Sequence, residues 1–192
     1  MIAIDILIYT NELNNEIIPQ WINEIYLEYN IKCEIYPNID LNDTEGFLPF
    51  KILFEDTNIN EIKGKYLLSG FEFYVYDNDD NMAEVLRDDS GEDIEKYRNK
   101  IIDAKKNIMF SFDEESDPIE GVFSYIAIRM LAKLLNGVIY DTYRGIYFDS
   151  NEFNVIENDK IDDMILEYSE NGDLIIHEFE EWHEIKRLRL KI

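Results

Sequence analysis

Cationic side chains are scarce in this chain of 192 residues: 18 Lys and Arg stand against 42 Asp and Glu, a formal net charge of −24 at neutral pH. That deficit disfavours direct binding to nucleic acid, where affinity comes from Lys and Arg neutralising phosphates and releasing counterions. An anionic membrane surface repels such a chain for the same reason. Cysteine is limited to Cys33. No disulfide can close within the chain, and a place inside the strand expected over 31–36 makes this thiol a buried, inert one and not a nucleophile. With only 8 glycines, none of them clustered, there is no phosphate loop or dinucleotide fingerprint, and no serine sits in a nucleophile elbow. No apolar run approaches the ~18–20 residues of a membrane helix. Asp5 interrupts the only early apolar stretch, and no basic segment precedes it, so a secretory signal is not expected and a cytoplasmic setting is.

What is present is enough to fold. The composition is 46% hydrophobic and 14% aromatic, which separates the chain from acidic disordered tails. Its length suits one domain over 1–192, with 150–192 as a candidate appendage to the main sheet. The opening residues alternate with period two, Ile4, Ile6 and Ile8 against Asp5, Leu7 and Tyr9, which predicts a strand. A helix follows, capped by Asn14 or Asn15, with Ile17, Ile18, Trp21, Ile25 and Tyr29 on one face and Pro19 in the first turn, where its missing N–H costs nothing. Strands are expected over 31–36, 48–54 and 66–76, then a charged connector, then a helix from Ser90 with Ile94, Tyr97 and Ile101 facing inward.

The best local signal begins after the strand expected near 107–113. Asp117 suits an N-cap, Pro118 the first helical position, and Glu120 the third, where its carboxylate can return to the cap N–H. The apolar stripe Ile119, Val122, Phe123, Ile126, Met130, Leu134 and Leu135 is core, and Gly137 after Asn136 supplies the expected left-handed stop. Strands at 138–141 and 146–149 complete the pattern. The predicted class is α+β: an antiparallel sheet with helices packed on one face, and with a β-α-β-β order that recurs over 2–54 and 107–149 as two similar halves. A short helix on Ile161, Met164, Ile165 and Tyr168 is expected near the end, while 174–179 and 188–192 read equally as strand or helix.

Sites of chemistry are harder to find. His177 and His183 lie six apart, a spacing that brings them together on neither a helix nor a strand, and the surrounding Glu178, Glu180, Glu181 and Glu184 read as a solvated face. Asp77, Asp79, Asn81 and Asp88 imitate a calcium loop, but Met82 replaces the required glycine, Glu84 stands where an apolar residue belongs, and Asp88 is shorter than the bidentate Glu. Asp40, Asn42 and Thr44 before Gly46 form a weaker version still. No metal, cofactor or catalytic set is therefore assigned. Charge remains the informative property. Lys186, Arg187, Arg189 and Lys191 lie in the last seven positions, which hold no acid, so the preceding 185 residues carry 14 basic side chains against all 42 acids. Such a field steers basic proteins and repels acidic ones.

Two segments look familiar: Ser69-Gly70-Phe71-Glu72-Phe73-Tyr74, and the run from Ala127 to Asp149 containing Leu131-Ala132-Lys133-Leu134-Leu135-Asn136-Gly137-Val138-Ile139-Tyr140-Asp141. The second resembles a helix, Gly, apolar pair, Tyr and Asp pattern in bacterial immunity proteins encoded beside polymorphic or contact-dependent growth inhibition toxins. The resemblance covers about 30 residues, mostly packing and turn positions, and transfers no functional residue. It implies a non-enzymatic protein that binds one cognate toxin, acidic where that toxin is a basic nuclease. Charge density alone nominates Asp77, Asp79, Asp80, Asp88 and Asp89 in the connector, and Asp113, Glu114 and Glu115 before the capped helix, as contacts to a basic partner. Two other readings stay open: a DNA-mimic regulator or anti-defence protein, and a carboxylate-based or metal-dependent enzyme, which would need several acids, with His177 or His183, to converge in a concave site.

Overall fold

The computed structural model describes residues 3–78, 93–113, 117–153, 156–169 and 174–183. Their elements run β1 (Ile4–Thr10), α1 (Ile18–Tyr29), β2 (Ile31–Ile35), β3 (Glu45–Phe54), β4 (Leu67–Asp77), α2 (Ile94–Ile102), β5 (Lys106–Phe112), α3 (Pro118–Leu135), β6 (Val138–Asp141), β7 (Ile146–Phe148) and α4 (Ile161–Tyr168). The seven strands form one sheet in the order β2-β3-β4-β5-β1-β6-β7, every neighbouring pair antiparallel. The class is α+β.

Period-two alternation decides which face each side chain takes. Ile4, Ile6 and Ile8 of β1 enter the main core, as do Ile108, Phe110 and Phe112 of β5. Phe71 and Phe73 of β4 and Leu48, Phe50 and Ile52 of β3 join them from the same face. Above these residues lie α1 and α3, with α4 against α3. Trp21 of α1 is fully buried, edge-on to Phe50, and its indole N–H donates to the Ala127 carbonyl of α3 at 2.8 Å. Between the sheet and two helices, α3 is enclosed almost all round from Pro118 to Ala132, more than the expected stripe. Arg129 fits there because its charge is met. It pairs with Glu28 and donates to the Tyr29 hydroxyl, both on α1, and to the Ser150 carbonyl at 2.9 Å.

One helix departs from the one-faced arrangement. Ile94, Tyr97 and Ile101 of α2 point inward as expected, but toward the opposite face of the sheet, where they pack on Tyr9, Val138 and Tyr147. Those three residues have the opposite parity to Ile8 and Ile139, so the strands carry apolar side chains on both faces at this end. The N-cap of α2 is Asp93, in a left-handed conformation; Ser90 lies outside the described residues. The two halves share an element order and not a placement: β2 forms the sheet margin outside β3, whereas β6 is inserted beside β1 with β7 outside it. β4, which has no counterpart in the second half, joins β3 to β5.

Two turn assignments also change. The Asp117 carboxylate accepts the Glu120 N–H at 2.9 Å as expected of the cap, but the cap N–H bonds to the Asp113 carbonyl at 3.2 Å, and Glu120 turns to the Asp113 N–H instead. The left-handed stop of α3 is Asn136 itself (φ 49°). Gly137 is required for proximity, because a Cβ there would sit 2.6 Å from Ile8 Cγ2. Residues 177–179 run antiparallel beside the start of β4, with Leu68 N–H donating to the His177 carbonyl at 2.7 Å and Phe179 N–H to the Tyr66 carbonyl at 2.9 Å.

Candidate functional site

Away from α2, the outer face of the sheet is built by the residues that the core parity turns outward. These are Glu45 and Phe47 of β3, Glu72, Tyr74 and Tyr76 of β4, Met109 and Ser111 of β5, and Asp5 of β1. Register sets them in rows: Glu45, Tyr74 and Met109 in one, Phe47, Glu72, Ser111 and Asp5 in the next. The charged members of these two rows are all carboxylates; Lys51, of the same parity further along β3, is paired with Glu34 at 2.9 Å. The Tyr74 hydroxyl donates to Glu72 at 3.3 Å, and the negative charge of Glu72 pushes the Tyr74 phenol pKa up. Tyr74 and Tyr76, two apart on one strand, hold their rings within 12° of parallel with centroids 6.5 Å apart, and Tyr76 is 47% exposed.

The position of Gly70 helps to form this surface. Pro49 opposes Gly70 across β3 and β4, and Pro49 directs its carbonyl to the Tyr36 N–H on the other side. The Pro49–Gly70 pair is therefore a non-hydrogen-bonded one, where strands come closest. A Cβ on Gly70 would lie 2.2 Å from the Leu48 carbonyl oxygen and 2.8 Å from the Phe47 ring. Glycine lets Phe47 fold over the strand beside Glu72, and a proline inside the sheet costs only the last bond of the β2–β3 ladder.

A second group of carboxylates adjoins this face where β5 ends. Asp113, Asp117 and Glu120 converge there with Glu72 close enough to be felt by Glu120. Burial, compounded by the charges of Asp117, Glu72 and Asp113, pushes the Glu120 carboxyl up to about 8, against the hydrogen bond from the Asp113 N–H. Burial also raises Asp117, despite the helix N–H groups that it accepts. His177 reaches in from the segment beside the start of β4, its Nε2 3.5 Å from Asp117 Oδ2. Glu72, Asp117 and Glu120 are brought together by the fold and not by a Lys or Arg among the described residues, and Glu120 answers the crowding by keeping its proton at neutral pH.

Of the residues nominated from charge density, the structure places two. Asp113 belongs to this group. Asp77 ends β4, its side chain 88% exposed and 3.2 Å from the Lys106 ammonium. Asp79, Asp80, Asp88, Asp89, Glu114 and Glu115 lie outside the described residues, as do Asn81 and most of the imitation calcium loop. Glu45, Glu72, Tyr74, Tyr76, Asp117 and Glu120 were not nominated; the outward parity of the first four was the available signal. Asp40 and Asn42 form a turn, Asp40 Oδ1 accepting the Asn42 N–H at 3.0 Å. His183 pairs with Glu181 of its own segment, apart from His177. Among the described residues, no group of three or more His, Cys, Asp or Glu is arranged to hold a metal ion, and no helix is long and apolar enough to cross a membrane. Cys33 is 7% exposed, and burial pushes its thiol up to about 12.

Clefts lie elsewhere among the described residues, and two of them adjoin α1. One of about 350 Å³ runs between the end of α1 and the start of α4, where Asp162 accepts from the Thr57 hydroxyl and the Asn58 N–H, each at 2.7 Å. The other, of about 500 Å³, lies between α1 and β2 beside Cys33, Lys32 and Lys51. Neither contains the carboxylates described above. No family model, curated protein or solved structure matches the chain.

Proposed function

We propose that this is an acidic, non-enzymatic protein-binding module, and more particularly an immunity protein that neutralises a basic, nuclease-like toxin by covering its active or substrate-binding surface. The observation that carries the reading is the sheet face on which register sets the carboxylates Glu45, Glu72 and Asp5 among Tyr74 and the half-exposed Tyr76. Beside it Glu120, raised to about 8 by burial and by like-charged neighbours, holds its proton at neutral pH, and an arriving cation favours its ionised form, so the group can add a charge on binding. An array of Asp and Glu presented on strands can occupy the places where a nuclease binds phosphates. Flanking tyrosines, Phe47 and Met109 add the amphipathic and apolar contact area typical of protein recognition surfaces.

The test is to recover the basic protein that co-purifies from the source cell, or the one encoded next door, and to assay its activity with and without this chain. Inhibition that saturates at a fixed stoichiometry, weakens with salt and weakens again in Glu45→Lys and Glu72→Lys is the expected result. Unchanged affinity and unchanged salt dependence in both folded variants would remove this surface from the interaction. A bound protein whose activity is untouched would overturn the inhibitor reading.

A further inference from the structure

Resting on that reading, we infer that the Tyr74–Tyr76 pair, with Glu45 and Glu72 beside it, is an anchor for an arginine side chain of the basic partner. The two rings stand at the i, i+2 repeat of a strand, which separates equivalent side chains by about 6.6 Å, in agreement with their 6.5 Å centroid spacing and 12° tilt. They therefore present parallel π-faces on a sheet surface, one of them close to half exposed. Glu45 lies directly across the ladder from Tyr74, and Glu72 accepts the Tyr74 hydroxyl. A planar cation stacked on the rings lies within reach of carboxylates on two adjoining strands.

That combination favours guanidinium over ammonium. Arginine is flat, weakly hydrated and able to donate two parallel hydrogen bonds to a carboxylate while its face rests on an aromatic ring; lysine is a compact, strongly hydrated point charge that does one or the other. The rings also serve better than carboxylates alone, since acids by themselves attract both cations alike. Within the outer-face rows, no Lys or Arg competes for the position: the charged members are Asp5, Glu45 and Glu72.

The experiment measures binding of fluorescently labelled hexa-arginine and hexa-lysine peptides to the whole chain at low salt. Each exposed cation–π contact is worth about 0.5–1 kcal/mol, a two- to fivefold effect. The wild type should prefer hexa-arginine, and the ratio of affinities should fall by about that factor in Tyr74→Leu and in Tyr76→Leu, while Tyr76→Phe, which keeps the ring, retains it. Glu45→Gln and Glu72→Gln should weaken both peptides. A ratio unchanged in both leucine variants, checked for native circular dichroism, overturns the arginine anchor while leaving the acidic-face reading in place. If the two glutamine variants also leave both affinities unchanged, the acidic face itself is not the binding surface, and both inferences fall.

Discussion

Glu120→Gln should make this protein more stable, and the gain should depend on pH in a defined way. Below a pH of about 4.5 the carboxyl is protonated in both the folded and unfolded chain, and the substitution changes little. Between about 4.5 and 8 the folded protein keeps a proton that the unfolded chain releases, because burial and the charges of Asp117, Glu72 and Asp113 hold the native value near 8. Stability of the wild type therefore falls as pH rises through this window and levels off above it, since the raised acid costs free energy wherever the unfolded state prefers to be ionised. At 1.36 kcal/mol per pH unit, the ceiling is about 5 kcal/mol. Glu120 keeps some contact with solvent, which screens its neighbours' charges, so about 2 kcal/mol is the working expectation. Glutamine retains an oxygen to accept the Asp113 N–H. Urea unfolding of both proteins from pH 4 to 9.5 reads the difference directly, and other titrating groups cancel in it. A difference that stays flat across pH 4.5–8 would refute the placement of Glu120 among buried, like-charged neighbours.

Three further outcomes follow from the packing. Arg129→Met removes the cation that, with Lys133, offsets burial to hold the Glu28 carboxyl below its usual range; losing one partner of a buried pair costs about 3 kcal/mol, and at ~3 °C per kcal/mol for this length the melting temperature should drop by about 10 °C, an unchanged melt refuting the clamp. Gly70→Ala should be the most damaging glycine substitution because of the Leu48 carbonyl 2.2 Å from its Cβ, whereas Gly64→Ala, in open space at φ 73°, should cost only the ~1–2 kcal/mol of left-handed strain; equal denaturant midpoints would contradict this. Cys33, with its thiol raised to about 12, should react with a disulfide reagent only at the rate at which the α1–β2 corner opens, so rapid labelling of the native protein would place it elsewhere.

The parity of the strands was legible from alternating Ile and Phe, and the α3 N-cap from Asp117-Pro118, because both signals are local; the return bond expected of Glu120 goes to Asp113 instead. What failed was long-range. That α2 takes the opposite face follows from Tyr9, Val138 and Tyr147, aromatic and apolar residues that look like core in any reading but gather on the outer face only when β1, β6 and β7 are side by side. The same holds for the insertion of β6 beside β1, which no turn specifies. The acidic group was half visible: Asp113 stood out in a run of acids, while Glu72 and Glu120 are far apart in sequence and meet only through the end of β5 and the start of α3. Charge density in the sequence pointed to loops, and the strands carry the aromatic residues that give the surface its chemistry.

The position of β1 also dictates when the fold can close. Its two neighbours are β5 and β6, and the pairing of Ile4 with Phe112 and of Ile6 with Asp141 means that β1, once synthesised, waits for roughly a hundred residues before either neighbour exists. At ~5–20 residues per second, that is an interval of several seconds in which an apolar strand has no native pairing available. Loop closure on this scale is paid before its contacts return anything, which makes the central joint of the sheet a late and slow event. A strongly negative chain has one advantage during that wait: unfinished copies repel one another while the strand is still open.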